Sequence, residues 1–299
     1  MQVSFDVRGV IVPLLTALSQ DGRSVDGESI SAHVSWLIER RVHGLMPCGT
    51  TGEGPLLTIQ ERRRVLELVL EAADGAVPVI AHVGAATTDE TIELALHARA
   101  CGADAVSVVT PYYFRLPAEA VSRHLVAVAD AVADVPVFLY NIPQNTGNSL
   151  ARATVDAVVA QCPNVIGIKD SSGDLDSLFG YIRVEADHFV TICGSDSLLL
   201  PALRGGACAS VSGNANLVPE LVVELFEAFW AGDVELALSH QAQLDSVRKA
   251  VGDGGHLGLL KRAVELRGLH MGPPRRPIPA ATAIEIETAR ANLRSLGVL

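Results

Sequence analysis

Lys169 is the residue whose neighbours in the chain point most clearly to chemistry. It follows the apolar run Val-Ile-Gly-Ile and precedes Asp-Ser-Ser. An apolar surrounding disfavours the charged form of an amine, and a neutral lysine can attack a ketone to form a Schiff base. The alternative is a structural lysine paired with Asp170 or Asp174. The spacing alone is compatible with both interpretations.

Tyr140 lies near the end of the preceding apolar run, Val135–Ile142. A phenol in that position can carry a proton between a carbinolamine and a substrate hydroxyl. A tyrosine that only packs against its neighbours is the alternative, and the pair Tyr112 and Tyr113 is open to the same two interpretations.

The segment Met-Pro-Cys-Gly-Thr-Thr-Gly-Glu-Gly contains Thr50 and Thr51 and follows another apolar run. It matches neither the P-loop pattern nor the dinucleotide pattern GxGxxG. Two hydroxyls beside exposed backbone N–H groups suit a carboxylate better. We expect Glu53 to be a structural carboxylate that holds this loop. An amine, a phenol and a carboxylate-binding loop together predict a 2-oxo acid as the substrate.

Short apolar runs that could position these groups recur along the chain, and a helix-like segment follows each of them. The runs are Gly9–Leu18, His43–Cys48, Val77–Val83, Ala105–Thr110, Val135–Ile142, Asn164–Asp170, Phe189–Gly194 and Ala207–Gly213. Continuous apolar runs are typical of parallel strands that are buried on both faces. The pattern predicts an α/β protein with a (β/α)₈ TIM barrel and a C-terminal helical extension; an open doubly wound sheet is the alternative. In such a barrel, reactive residues lie at the C-terminal ends of the strands.

Helical periodicity is clearest in Asp26–Glu39, Thr58–Ala73 and Asp89–Cys101. Thr58 and Thr88 are predicted N-caps, and Gly44 and Gly102 are predicted to end helices. Beyond residue 218 only helical segments follow. We therefore predict a barrel over residues 1–224 and a helical region over residues 225–299.

Composition excludes several classes of function. The chain has 299 residues, a net charge of −11 and no block of Lys or Arg, which argues against nucleic acid or a membrane as a partner. The nine His show no metal-ligand spacing, so no metal site is predicted. The five Cys are far apart and favour reduced thiols. The chain shows no signal-peptide pattern at its start, and we expect a cytoplasmic protein.

Four motifs, in this order along the chain, resemble those of the dihydrodipicolinate synthase / N-acetylneuraminate lyase family of pyruvate-dependent class I aldolases. They are Gly-Thr-Thr-Gly-Glu from Gly49, Thr-Pro-Tyr-Tyr-Phe from Thr110, Leu-Tyr-Asn-Ile-Pro from Leu139 and Gly-Ile-Lys-Asp-Ser-Ser-Gly-Asp from Gly167. The Pro-rich segment Gly272–Pro279 is similar to a late segment of the family. The resemblance covers almost the whole chain.

The resemblance implies a role for each matching residue. Lys169 corresponds to the Schiff-base lysine and Tyr140 to the proton-transfer tyrosine. Thr50 and Thr51 correspond to the pair that binds the carboxylate of pyruvate. Thr51 also belongs to a hydroxyl relay with an aromatic residue from a neighbouring subunit, here Tyr113. Backbone groups of Gly194 and Val211 line the pocket. The resemblance further implies a homotetramer, with neither a metal nor a dissociable cofactor.

Departures from the family bear on the substrate. Dihydrodipicolinate synthases carry an arginine where this chain has Asn145, and an amide cannot replace a bidentate guanidinium. Sialic acid lyases carry Asp-Glu where this chain has Asp196 and Ser197. Asn145, Ser171, Asp196 and Asn214 suit a smaller hydroxylated substrate.

We therefore expect pyruvate and an aldehyde to be the products of an aldolase. It would cleave a 2-oxo-4-hydroxy acid, such as a 2-keto-3-deoxy sugar acid or 4-hydroxy-2-oxoglutarate. A dihydrodipicolinate synthase (4-hydroxy-tetrahydrodipicolinate synthase) and a keto-deoxy acid dehydratase remain alternatives. A non-catalytic ligand-binding regulator is a further one, against which the joint presence of Lys169, Tyr140, Tyr113, Thr50 and Thr51 argues.

Overall fold

Eight short strands alternate with helices along the chain in the structure, a computed structural model that describes residues 5, 7–186 and 188–299. Each strand lies within one of the eight predicted apolar runs. The strands are β1 Gly9–Pro13, β2 Gly44–Met46, β3 Ile80–His82, β4 Ala105–Val109, β5 Val137–Asn141, β6 Val165–Asp170, β7 Val190–Cys193 and β8 Ala209–Val211. Nearly every strand residue is buried, as the continuous apolar runs predict.

The helices lie between the strands and after the last of them. They are α1 Gly27–Glu39, α2 Ile59–Ala73, α3 Thr88–Ala100, α4 Ala118–Ala131, α5 Pro143–Thr146, α6 Arg152–Val159, α7 Leu175–Ile182, α8 Leu199–Gly205, α9 Pro219–Trp230, α10 Val234–Ala250, α11 Leu257–Glu265 and α12 Ala283–Ser295. Within the described residues, no helix has both the length and the apolar composition needed to cross a membrane.

The chain divides into two compact units. One, the β3–β8 unit, contains Pro78–Val211. Its strands pair in parallel in chain order, β3 with β4 and so on to β8. Because parallel strands end on the same side of a sheet, the polar residues that follow β4 to β7 are gathered at one edge.

The other, the β1–β2 unit, contains Gly9–Val77 and Ser212–Leu299. In it β1 pairs in parallel with β2, with Ile11 opposite Gly44. Asn216 joins the late part of the chain to the end of β1: its side chain accepts a hydrogen bond from Leu15 N (3.0 Å) and donates one to Pro13 O (3.0 Å). Residues from both ends of the sequence therefore form one unit.

The predicted helix ends were partly right. Thr58 caps α2 with Glu61 in a capping box, and Gly102 follows α3 with φ +80°. Thr88 as N-cap was wrong, because Thr87 accepts the Glu90 N–H and Thr88 is already helical. Gly44 was also wrong: it begins β2, and Arg41 takes the left-handed position after α1, with φ +61°. The four helices predicted beyond residue 218 are present, and the boundary between residues 224 and 225 stays a prediction.

Candidate active site

Lys169 and Tyr140 lie side by side in the β3–β8 unit. Tyr140 in β5 is directly opposite Lys169 in β6, so both side chains leave the sheet on the same face. Lys169 Nζ lies 3.8 Å from the centroid of the Tyr140 ring, and the two residues are only 4% and 2% exposed. Val109 and Ile142 pack around the ring. The structure thus brings together an amine and a phenol in an apolar surrounding, as the sequence predicts.

A second pair of facing residues, joined by a hydrogen bond, lies next to Tyr140 and Lys169 along the two strands. Asn141 and Asp170, each one position further along its strand, are also directly opposite each other. Asn141 Nδ2 donates to Asp170 Oδ1 (2.8 Å), and Ser172 Oγ donates to Asp170 Oδ2 (2.8 Å). Because successive strand residues point to opposite faces, this pair ties β5 to β6 on the face opposite the lysine.

The partners of the two neighbouring carboxylates bear on the ion-paired interpretation of Lys169. Asp170 is engaged by Asn141 and Ser172, and Asp174 accepts the Asp176 N–H and caps α7. Both carboxylates therefore have partners other than the lysine. Burial raises the pKa of Asp170. The sequence reasoning missed Asn141, although the matched dipeptides Tyr-Asn and Lys-Asp at the ends of consecutive strands could have indicated it.

Gly194 lies beside the Lys169 side chain. Its N–H donates to Asp170 O (2.7 Å), which sets it beside the end of β6. A Cβ atom at this position would lie 2.0 Å from Ser171 Oγ and 3.1 Å from Lys169 Cε. Only glycine fits here without displacing a neighbour. Two of the predicted pocket residues, Ser171 and Gly194, therefore do lie next to the lysine.

The remaining predicted residues of this unit lie in different surroundings. Asn145 is exposed in α5, Asp196 is 8% exposed after β7, and Val211 is 2% exposed at the end of β8. Tyr113 is 87% exposed, with φ +81°, and its ring packs on Phe114 at 5.0 Å. It is Tyr112 that packs beside Tyr140. The backbone at Tyr113 is therefore strained to hold an exposed ring.

His82, Cys48 and Cys193 are buried inside the protein. The His82 ring packs edge-on against Tyr140, with the ring centroids 5.8 Å apart. Burial raises the pKa of the Cys193 thiol to about 12 and that of Cys48 to about 11. Neither thiol is a nucleophile at neutral pH, because the thiolate is the reactive form.

The loop with Thr50 and Thr51 follows β2 in the β1–β2 unit. Thr50 is exposed and Thr51 is half-buried. The loop closes on itself, since Gly54 N donates to Gly49 O (3.1 Å). A Cβ atom at Gly54 would lie 1.9 Å from Cys48 O, so glycine is required there. The two threonines are thus presented by a tight, well-defined turn.

Glu53 ends this loop as a buried carboxylate, as predicted. Lys261 Nζ donates to Glu53 Oε1 (2.6 Å), and both side chains are fully buried. The backbone N–H of Arg275 donates to Glu53 Oε2. Burial lowers the pKa of Lys261, and the negative charge of Glu53 opposes that shift.

Comparison with known proteins gives one consistent family. A sequence model of the dihydrodipicolinate synthetase family matches residues 6–295. The chain is 38% identical over 297 residues to 4-hydroxy-tetrahydrodipicolinate synthase of Methanopyrus kandleri, covering 99% of each protein. It is 41% identical over 293 residues to an uncharacterized DapA-like lyase of Halobacterium salinarum, covering 98% of this chain and 95% of the relative.

The fold is shared with solved structures. Sialic acid aldolase of Ruminococcus gnavus matches with a TM-score of 0.92 at 26% identity, over 97% of each chain. The predicted (β/α)₈ TIM barrel with C-terminal helices is confirmed as the fold class.

Proposed function

The chain belongs to the dihydrodipicolinate synthetase family, and from that premise we propose which of its residues carry the reaction and what the substrate is. It is an enzyme, a lyase of a family whose members form a lysine Schiff base with pyruvate. We propose that Lys169 is the Schiff-base lysine. The observation that carries this assignment is the buried contact of Lys169 Nζ with the Tyr140 ring at 3.8 Å.

The proposed reaction is the cleavage of a 2-oxo-4-hydroxy acid to pyruvate and an aldehyde, or its reverse. Neutral Lys169 adds to the C2 ketone, and the carbinolamine loses water to give an iminium ion. Tyr140 transfers the protons of these steps and removes the proton of the C4 hydroxyl. The C3–C4 bond then breaks, and its electron pair forms an enamine while the aldehyde leaves. Protonation at C3 and hydrolysis release pyruvate and the free lysine.

Substrate binding is assigned by family position. Thr50 and Thr51 bind the carboxylate through hydroxyl and N–H donors, and backbone groups of Gly194 and Val211 line the pocket. Thr51 and Tyr113 form the proton relay, with Tyr113 acting on the site of a neighbouring subunit. Tyr113 is 87% exposed and Phe114 is 70% exposed. Two exposed aromatic rings side by side favour a surface that another copy of the chain covers, and we propose a homotetramer.

Asn145 bears on the choice of aldehyde. The position is exposed in α5, and it offers an amide where the synthases carry arginine. An amide is neutral and cannot pair with a second carboxylate in the bidentate way of a guanidinium. With Ser171 and Asp196 as further polar groups, this favours a hydroxylated aldehyde, as released from a 2-keto-3-deoxy sugar acid. The other candidate, 4-hydroxy-2-oxoglutarate, would release glyoxylate, whose carboxylate finds no guanidinium at position 145.

A 4-hydroxy-tetrahydrodipicolinate synthase is the second candidate. The name of the Methanopyrus kandleri relative, at 38% identity over nearly the full length, favours it. The 41% identity to a DapA-like lyase favours the broader aldolase function.

A panel of 2-keto-3-deoxy acids and 4-hydroxy-2-oxoglutarate, scored for release of pyruvate, tests the proposal. Pyruvate with aspartate semialdehyde is assayed in parallel, and Lys169→Ala is the inactive control. We expect at least one panel member to give pyruvate and aldehyde in equal amounts, and Asn145→Arg to weaken that activity. Condensation with aspartate semialdehyde faster than every cleavage reaction would assign the synthase instead. A dehydrated keto acid as product would assign a dehydratase.

A further inference from the structure

The buried pair of Glu53 and Lys261 is not used by the proposed chemistry. It joins the loop of Thr50 and Thr51 to α11, which lies far along the chain. Lys261 Nζ and Glu53 Oε1 are 2.6 Å apart, and neither side chain is exposed. Removing two charges from water costs several kcal/mol per ion. A protein in which well-packed apolar residues replace a buried ion pair is often equally stable. Stability is therefore a weak reason for this pair, and its position in the loop is more informative.

Glu53 belongs to a loop whose backbone is strained at both ends. Cys48 and Glu53 have φ of +60° and +59°, a region that costs a non-glycine residue about 1–3 kcal/mol. Between them, Thr50 O accepts the Glu53 N–H (3.1 Å), and Thr16 Oγ1 donates to Gly52 O (2.7 Å). Contacts from outside the loop must hold this conformation, because the local sequence does not favour it.

Besides Thr16, the Pro-rich segment and α11 contact the loop from outside. Both oxygens of Glu53 are engaged, one by Lys261 Nζ and the other by the Arg275 N–H. Lys261 Nζ also donates to Pro273 O (3.2 Å). The Arg275 guanidinium pairs with Glu61 (2.7 Å), the residue that completes the capping box of α2. A 3₁₀ turn, Gly54–Leu56, follows the loop, and the Pro-rich segment is bound to the chain on both sides of that turn.

We propose that Glu53 and Lys261 are positioning residues that fix the loop of Thr50 and Thr51 for binding the carboxylate of the 2-oxo acid, without touching that substrate. This inference rests on the proposed function. A directional grip on two carboxylate oxygens requires donors held within about 0.5 Å. Glu53 is one of the two loop residues whose backbone is strained, so holding its side chain restrains the loop. The ion pair supplies that restraint.

The test compares a carboxylate substrate with a ketone that lacks the carboxylate. The double variant Glu53→Gln/Lys261→Met removes both charges together, so no uncompensated buried charge is left to unfold the protein. Glu220→Gln is the matched control, because Glu220 accepts from Arg40 and Arg267 in the same unit, away from the loop. Borohydride trapping at Lys169 is measured against the concentration of pyruvate and, separately, of hydroxyacetone.

In the double variant we expect the pyruvate concentration for half-maximal trapping, and the KM of the cleaved keto acid, to rise about tenfold with little change in kcat. Trapping of hydroxyacetone should stay at the wild-type level, and Glu220→Gln should change neither. An unchanged pyruvate dependence in the folded double variant would overturn the inference. So would an equal loss for both ketones, which is the result of a general loss of structure. No pyruvate adduct in the wild-type protein would refute the proposed function itself, and this inference with it.

Discussion

Replacing Gly194 with alanine tests how closely the end of Lys169 must be held. The new Cβ would lie 2.0 Å from Ser171 Oγ, 3.0 Å from Asp170 O and 3.1 Å from Lys169 Cε. All three separations are shorter than ordinary van der Waals contact. Ser171 can rotate away, but the Asp170 carbonyl belongs to β6 and cannot. The lysine must therefore move by a few tenths of an ångström.

Such a displacement is large for a nucleophile. A misplacement of about 1 Å can cost a hundredfold in rate, equivalent to about 2.7 kcal/mol. We therefore expect Gly194→Ala to lower kcat/KM and the rate of pyruvate trapping by about tenfold to a hundredfold.

The assay is borohydride trapping by pyruvate, followed by intact-protein mass spectrometry, beside steady-state kinetics. Gly180→Ala in α7 is the matched control, because a Cβ there meets nothing within 4 Å, and it should leave activity unchanged. Full activity of Gly194→Ala would refute the reasoning.

Three further predictions concern stability and the relay. Burial lowers the pKa of His33 from 6.5 to about 4, so its contribution to stability is complete above pH 6.5 and is lost as the pH falls toward 4. Between pH 7.5 and 5, wild type should therefore lose about 2 kcal/mol more than His33→Gln in urea unfolding, and parallel curves would contradict this. Asn141→Ala should destabilise the protein by about 1–3 kcal/mol in the same assay and slow trapping at Lys169, whereas an unchanged trapping rate would show that Asp170 needs no such partner. Tyr113→Phe should lower kcat about tenfold or more without moving Tm, because it removes only the hydroxyl and keeps the ring that packs on Phe114; a lowered Tm in a scanning assay would indicate that the hydroxyl has a structural role instead.

Local patterns were enough to predict the strands and most helices, because their physical causes are local. β6, Val165–Asp170, begins with a continuous apolar run that the proposed nucleophile follows directly. Thr58 with Glu61 makes a capping box from neighbouring residues. The errors occurred where two local solutions compete. Thr87 and Thr88 both fit an N-cap, and the side chain that accepts Glu90 N decides between them.

The candidate site was predictable where strand periodicity determines it. Tyr140 and Lys169 each lie near the end of one of two consecutive strands, β5 and β6, and the parallel register sets them opposite each other. The partner of Glu53 could not be predicted in this way. Lys261 lies in an ordinary amphipathic helix, and only the folded β1–β2 unit brings its amine to the loop.

Borohydride reduction in the presence of pyruvate tests the central claim most directly. The sequence contains three lysines, Lys169, Lys249 and Lys261. Peptide mapping should find one modified site, Lys169, carrying the mass of pyruvic acid less one oxygen atom, and Lys169→Ala should abolish it. The absence of an adduct at saturating pyruvate, or its appearance on exposed Lys249 instead, would contradict the account.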